Sequence, residues 1–290
     1  MYEDATAIKP DLSARGAALG VSLARRRRAR YAEMLKAYGY PIGSLAGLVI
    51  VWQLVVTIVR PADYLLPSPV AVAEELVLRR DLLWMHAWVT TQEMLLGFFL
   101  SVIVSVPIAV CIATWKPLER AVYPLLVVSQ AVPKVAVAPL LLVWMGFGAA
   151  PKVFVAVLIA FFPIVISTVT GLKSVPYEMI QLSRSIGLST AATFVKIKLP
   201  YALPHIFAGL KVGITLAVVG AVVGEFVGAD KGLGYLLLFT LGRLNTRLMF
   251  ADLVVLVALG VASFWLVQLV ERKTIPWHVS VRLDQPPPTA

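Results

Sequence analysis

Few side chains in this sequence are arranged to do covalent chemistry. His86, His205 and His278 each lie near the end of an apolar stretch, and none stands at metal-ligand spacing from another histidine or from Cys111. Cys111 is the single cysteine, so neither an intrachain disulfide nor a thiolate cluster can form. There is no Gly-x-x-x-x-Gly-Lys-Ser/Thr phosphate loop and no Gly-x-Gly-x-x-Gly run after a strand, so ATP or a dinucleotide is not bound by the usual means. No nucleophile, base and orienting group fall together. The expectation is a chain with no catalytic residues, no metal and no cofactor of its own. Two charges set in apolar sequence remain: Lys134, directly after Pro133, and Glu225, directly after Gly224. A lysine at membrane depth is costly unless paired or hydrated, which makes a functional role the default reading. Two roles compete for Lys134: attraction of an anionic or carbonyl-bearing solute, or a structural pair with an acid such as Glu225. The pair is favoured. Glu225 can equally meet Lys231 or face a gate.

The elements that position these residues are membrane spans. The 290 residues are 59% hydrophobic and 14% charged, with a mean hydropathy of +0.85. A soluble globule runs nearer about one half and one quarter. Uncharged runs long enough to cross the hydrocarbon as helix occur at 42–59, 94–113, 153–172 and 253–270. Two further spans each carry one lysine, Lys134 in 121–145 and Lys211 in 206–224. Six spans result, within a membrane block from 41 to 272, between a basic tail over 1–40 and a second tail over 273–290. The first forty residues lack an apolar core of signal-peptide type, so the first span is expected to stay as an anchor. Lys and Arg concentrate before the first span, at Lys116 and Arg120, between Lys173 and Lys198, and after Glu271. The opposite segments hold only Arg60, Arg79, Arg80, Lys152, Lys231, Arg243 and Arg247. That bias points both ends to the cytoplasm. The run Arg25-Arg26-Arg27-Arg28 and the net charge of +10 then suit an anionic inner leaflet rather than nucleic acid.

Span three contains Pro124, Pro133 and Pro139 and should be bent or broken. Broken helix at membrane depth survives where it is packed in protein or lines a wet cavity, which assigns Pro133, Lys134, Pro139 and Glu225 to a translocation path. Ser68 and Pro69 suit the start of a short surface helix from Val70 to about Arg80, either seating the bundle or meeting an external protein. Gly146-Phe147-Gly148 makes a tight turn. The segment from Ala229 to Asp252 reads as re-entrant or interfacial. Gly209, Gly213, Ala217 and Ala221, with a second row of Gly220, Gly224 and Gly228, form stripes that let helices approach closely, within one subunit or across to a second copy.

The polar stretch from Pro176 to Pro200 lies between two apolar spans on the cytoplasmic side, within a loop over 174–204. Tyr177 to Ile186 can form about three turns, Gly187 can end them in the left-handed conformation, Ser189 can cap a second helix from Thr190 to Lys198, and Pro200 stops it. The second helix shows Ala191, Phe194, Val195 and Lys198 on one face, and the turn exposes Leu188, Ala191 and Ala192. This is either a docking knob for a partner's groove or an amphipathic loop on the bilayer.

The spacing Gly187, nine residues, Ile197, one residue, Leu199-Pro200 resembles the coupling loop of ATP-binding-cassette importer permeases. In that pattern a Glu-Ala-Ala opens the motif. Here those places hold Gln181, Leu182 and Ser183, and Glu178, one turn earlier, is the nearest acid. The resemblance extends over about 65–277 through Leu66-Pro67-Ser68-Pro69, Pro133 to Leu140, Trp144 to Gly148 and Gly220 to Tyr235, which look like the nitrate, sulfonate and taurine class. The Pro133-Lys134 version and Phe207 to Lys211 are similar to members proposed for pyrimidine precursors. The resemblance implies an all-α polytopic bundle of the type I importer permease fold in a bacterial inner membrane. It implies a second copy of the permease, two ATPase subunits that hold ATP and Mg, and an extracytoplasmic solute-binding protein. Docking then falls to Glu178, Gly187, Leu188, Ser189, Ala191, Ala192, Ile197, Leu199 and Pro200. The alternative from another class is an ion-coupled secondary transporter using Lys134 and Glu225.

Overall fold

A computed structural model of the chain describes residues 39–40 and 42–276, and among these every regular element is helical. The helix α1 (Ile42–Val59), with a mean hydropathy of 2.3, belongs to a separate unit that ends at Arg60. Of the tails expected over 1–40 and 273–290, residues 1–38 and 277–290 lie outside the described residues.

The remaining helices form one bundle. They are α2 (Pro69–Leu78), α3 (Arg80–Thr114), α4 (Lys116–Ser129), α5 (Ala138–Met145), α6 (Ala149–Lys173), α7 (Tyr177–Ser185), α8 (Thr190–Thr193), α9 (Leu199–Gly228), α10 (Leu233–Gly242) and α11 (Thr246–Thr274). Helices α3, α6, α9 (with α8) and α11 are each long and apolar enough to cross a membrane. With α1 that makes five among the described residues, or six if α4 and α5 count as one broken span. The expected span three is indeed broken: its two halves meet at 87°. The break is not at every proline, however. Pro124 is carried inside α4, whereas Pro133 precedes a 3-10 turn over Lys134–Val137 and Pro139 sits in the first turn of α5, where a missing N–H costs little.

The closest packing is between α6 and α9. A methyl built on Gly220 would lie 2.5 Å from the Ala156 Cα, on Gly224 2.7 Å from the Lys152 Cα, on Gly209 2.6 Å from the Ser167 Cβ and on Gly213 2.7 Å from Ile164. A methyl on Gly228 would lie 2.8 Å from Leu142 Cδ1 of α5. Both glycine rows therefore meet elements of the same chain, at spacings that no larger residue allows. On α3, Gly97 completes the contact, with its added methyl 2.5 Å from the Ala156 Cβ. Around this seam, Phe98, Ala160, Ile164, Phe207, Ile214 and Ala217 fill the core. Ile112, Val165 and Val169 with Leu126 seat α4, and Ala138, Leu141 and Ile159 seat α5.

A Gly220→Val exchange puts branched carbon into backbone and is expected to cost at least the roughly 1–3 kcal/mol of an overpacked core. Gly260→Ala, where nothing lies within 4 Å, should be silent. Melting of the detergent-solubilised protein, read by tryptophan fluorescence, checks both. Equal melting of the Gly220→Val variant and the parent would contradict the seam.

Candidate functional site

The loop between α6 and α9 is built as a stiff hairpin. Helix α7 ends in a left-handed turn at Gly187, with φ of +74°. The Leu188 N–H returns to the Ser183 carbonyl at 2.9 Å and the Gly187 N–H donates to Arg184 at 3.0 Å, closing the last carbonyls as glycine-ended helices do. Ser189 caps α8 by accepting from the Ala192 N–H at 3.2 Å. Thr193 donates to Ser183 at 3.3 Å and joins the two arms through buried hydroxyls. Phe194 and Leu199 pack with Leu172, Ala202 and Ile206, which fastens the hairpin to the ends of α6 and α9.

Two expectations are corrected here. Pro200 does not stop the second helix, because Phe194–Lys198 winds as a wider π turn that runs straight into α9. The Leu199 N–H reaches five residues back to Phe194, and the slack accommodates a proline ring that an α-helix would reject. Phe194 also leaves the shared exposed face, since it packs inward while Ala191 and Val195 stay exposed. Glu178, Gly187 and Ser189 are exposed, and Leu188, Ala192, Ile197, Leu199 and Pro200 are half-buried. Between this hairpin and the end of α3 lies a cleft of about 540 Å³ lined by Val110, Thr114, Ile180, Leu188 and Phe194.

At the other end of the bundle sits a polar cluster that composition did not disclose. Lys152, counted by sequence among the segments outside the membrane, is buried in α6 and pairs with Glu93 of α3 at 2.5 Å, both side chains under a tenth exposed. Glu225 does not meet Lys134 or Lys231. It accepts from Thr90 Oγ1 at 2.7 Å and from the Gly234 N–H at 2.5 Å. Thr90 in turn accepts from the Leu233 N–H at 2.8 Å, and His86 Nδ1 accepts from Gly232 at 3.0 Å. Three successive amides that open α10 are thereby satisfied by side chains of α3 and α9. Gly232 takes φ of +116°, and a methyl there would lie 2.2 Å from the Glu225 carboxyl carbon, so the carboxylate occupies the space that glycine leaves. Asp252 on α11 is wholly enclosed nearby, with no protein donor to either oxygen. Among the described residues no group of His, Cys, Asp and Glu is placed to hold a metal. The signal for Glu93 and Lys152 was present in the sequence as the charge standing directly before an uncharged apolar run, Glu93 before 94–113 and Lys152 before 153–172.

Lys134 stands apart from this cluster. It is half-buried, with its ammonium 4.8 Å from the centroid of the Phe162 ring. The pair expected between Lys134 and Glu225 is therefore absent. Pro133 and Pro139 flank it on the exposed side of the break.

Comparison with known proteins gives consistent results. Residues 97–276 match the family described as binding-protein-dependent transport system inner membrane component. A probable ABC transporter permease protein of Haemophilus influenzae is 35% identical over 82% of this chain and 97% of its own length. The riboflavin transport system permease protein RibX of Chloroflexus aurantiacus is 39% identical, over 84% of this chain and 91% of that protein. The taurine transport system permease protein TauC of Escherichia coli is 28% identical over 83% and 90%. In fold, a chain of the MetNI methionine ABC transporter, solved in inward-facing conformations, superposes with a TM-score of 0.58 at 22% identity over 68% of this chain and 96% of that one.

Removing the Glu225 carboxylate should release the start of α10. Glu225→Ala strands the Gly234 amide and leaves the Thr90 hydroxyl only the His86 carbonyl to donate to, at an expected cost of about 1–3 kcal/mol, whereas Glu225→Gln keeps an acceptor and loses less. Thermal unfolding of the three proteins should rank parent, Gln and Ala. An Ala variant that melts with the parent would show that the carboxylate does not hold α10.

Proposed function

Because the chain belongs to the family of binding-protein-dependent transport system inner membrane components, we propose that the hairpin from Pro176 to Pro200 is where it receives work from a separate ATPase. The chain is a multi-pass ABC importer permease subunit of the inner membrane, with taurine and sulfonate permeases among its relatives. In the proposed assembly two copies stand together, two ATPase subunits lie on the cytoplasmic side, and a solute-binding protein delivers cargo from outside. ATP and Mg belong to the ATPase subunits, and this chain forms and breaks no covalent bond. Both of its ends face the cytoplasm, on the strength of the Lys and Arg distribution.

The observation that carries the reading is the exposed Ala191 held at a fixed place by the Gly187 turn and the Ser189 cap, on a hairpin whose second arm runs without a break into α9 and whose first is joined to α6 by three residues. A small apolar knob on two helices enters a partner's groove, and the pair of spans moves with it. Closure of the ATPase dimer on ATP pushes Gly187 to Thr193 and rocks the spans from inward-open to outward-open. Solute then passes by alternating access. Glu178 and Leu188 border the knob, and Ile197, Leu199 and Pro200 join it to α9.

The cargo is a small organic solute. The relatives' names span riboflavin, formylaminopyrimidine, taurine and aliphatic sulfonates, and binding assays on the external partner against such a panel would choose among them.

Ala191→Glu places a charge on the knob where there is room for it. It should insert and melt as the parent does while abolishing solute-stimulated ATP hydrolysis, by at least about tenfold for one charge left unpaired in an interface, near 1.4 kcal/mol or more. Hydrolysis that survives the exchange would show that the docking surface lies elsewhere. Uptake that persists after the partner ATPase is inactivated would contradict the importer assembly itself.

A further inference from the structure

Lys134, Lys152, Lys173 and Lys211 all lie on helices of the bundle or at the break between α4 and α5, and they are not treated alike. Lys152 meets Glu93 at 2.5 Å, Lys173 meets Glu119 at 2.5 Å and Lys211 meets Glu271 at 2.8 Å. Lys134 has the Phe162 ring at 4.8 Å and no carboxylate within salt-bridge distance among the described residues. Phe162 is near the middle of α6 (Ala149–Lys173), so this ammonium stands close to mid-depth. A ring face compensates an ammonium only in part, and less than burial at that depth costs. The balance must come from water or from an anion.

The backbone at the same place makes the same demand. Between Ser129 and Lys134 the chain leaves the α-helix and turns through 87°. Non-helical backbone at that depth is tolerated where protein covers it or where it borders a wet cavity. Val132, Pro133, Val135 and Ala136 are all exposed, so the helices of the bundle do not cover the break. Pro133 fixes the entry to the 3-10 turn and Pro139 lies in the first turn of α5, so Lys134 is held on a short, stiff segment rather than on a free loop.

We propose that the break between α4 and α5 is a binding point in the translocation path for an oxyanion group on the solute, with Lys134 supplying the charge and Phe162 a flat surface beside it. The group is a carboxylate, sulfonate or phosphate carried by a small molecule. This rests on the importer reading for the existence of a path, and it adds which residues meet the cargo and what sign of charge they select. A neutral solute would leave the ammonium to water alone and gain nothing from it.

The test uses charge-matched thiol reagents and needs no knowledge of the cargo. Cys111 is replaced by Ser, and single cysteines are placed at Val132, Val135 or Ala136 in the full chain, assembled with its ATPase in proteoliposomes. Each is modified with a methanethiosulfonate bearing a sulfonate and with one bearing a trimethylammonium. Lys134 should favour the anionic reagent by about tenfold over the cationic one, the low end of what a charge in a low-dielectric cleft does to arrival rates. Lys134→Met should erase the preference and Lys134→Arg should keep it. Taking the ratio of the two reagents cancels any effect of the lysine on the thiol itself, and the ratio in the Lys134 protein is informative even if the Met variant fails to assemble. No modification at any of the three positions would show the break to be dry and overturn the proposal, as would a ratio near one or a ratio that Lys134→Met leaves unchanged. ATP hydrolysis on the same preparations separates the two readings: hydrolysis with a failed labelling pattern removes the anion site alone, and labelling as expected with no coupled ATPase removes the importer assembly and keeps the site.

Discussion

The contact between α6 and α9 is the constraint on which the rest of this molecule hangs. In lipid there is no gain from hiding apolar surface, so helices hold together by close approach and by the few polar links they share. Here Gly209, Gly213, Gly220 and Gly224 bring the backbone of α9 against Ser167, Ile164, Ala156 and Lys152 of α6. The two helices bracket the hairpin at one end and contribute Lys152 and Glu225 to the polar cluster at the other. A displacement of the hairpin therefore moves a paired unit, because neither helix can slide past the other without driving side chains into backbone.

The charges follow a second rule. Three carboxylate and ammonium pairs in the bundle join different helices, so that electrostatics helps to fix which elements are neighbours, while Lys134 and Asp252 stand outside these pairs. Glu93 with Lys152 joins α3 to α6, Lys211 with Glu271 joins α9 to α11, and Glu119 with Lys173 joins α4 to α6 at the hairpin end. Outside the bundle's core, Asp63 with Arg247 ties the segment before α2 to the start of α11. Glu225 follows the rule differently, meeting backbone amides where the others meet cations. A half-paired buried charge costs more than the pair contributes, so these links specify the arrangement more than they stabilise it.

Much of this was legible in the sequence, for definable reasons. Apolar runs of membrane length leave the chain little choice but helix, and Gly187 and Ser189 are residue types with strong local preferences that tertiary context did not override. The small-residue stripes were visible as a period of four, though not which helix they met. Pairings between distant charges were not legible. Lys134 and Glu225 were the natural couple on depth alone, yet Glu225 is taken by Thr90 and Gly234, contacts that depend on a turn at Gly232 whose geometry no periodicity encodes. Lys152 was misread for the same reason, since a charge close to a span end looks solvated until its partner is known. Pro200 was misread because a proline stops an α-helix but not a π turn.

That π turn has a geometric consequence of its own. Each residue of an α-helix advances the side-chain direction by about 100°, and a π turn acts as one residue inserted into the winding. The rod from Thr190 to Gly228 is thus two segments with a phase offset between them, so the direction in which Ala191 points is set independently of the direction in which Gly209 and Gly213 point. Deleting one residue from Phe194–Lys198 would restore a single phase and swing Ala191 around the axis by about that same angle, leaving the seam with α6 untouched. The azimuth of the knob is a property of five residues, separable from the packing that holds the rod in place.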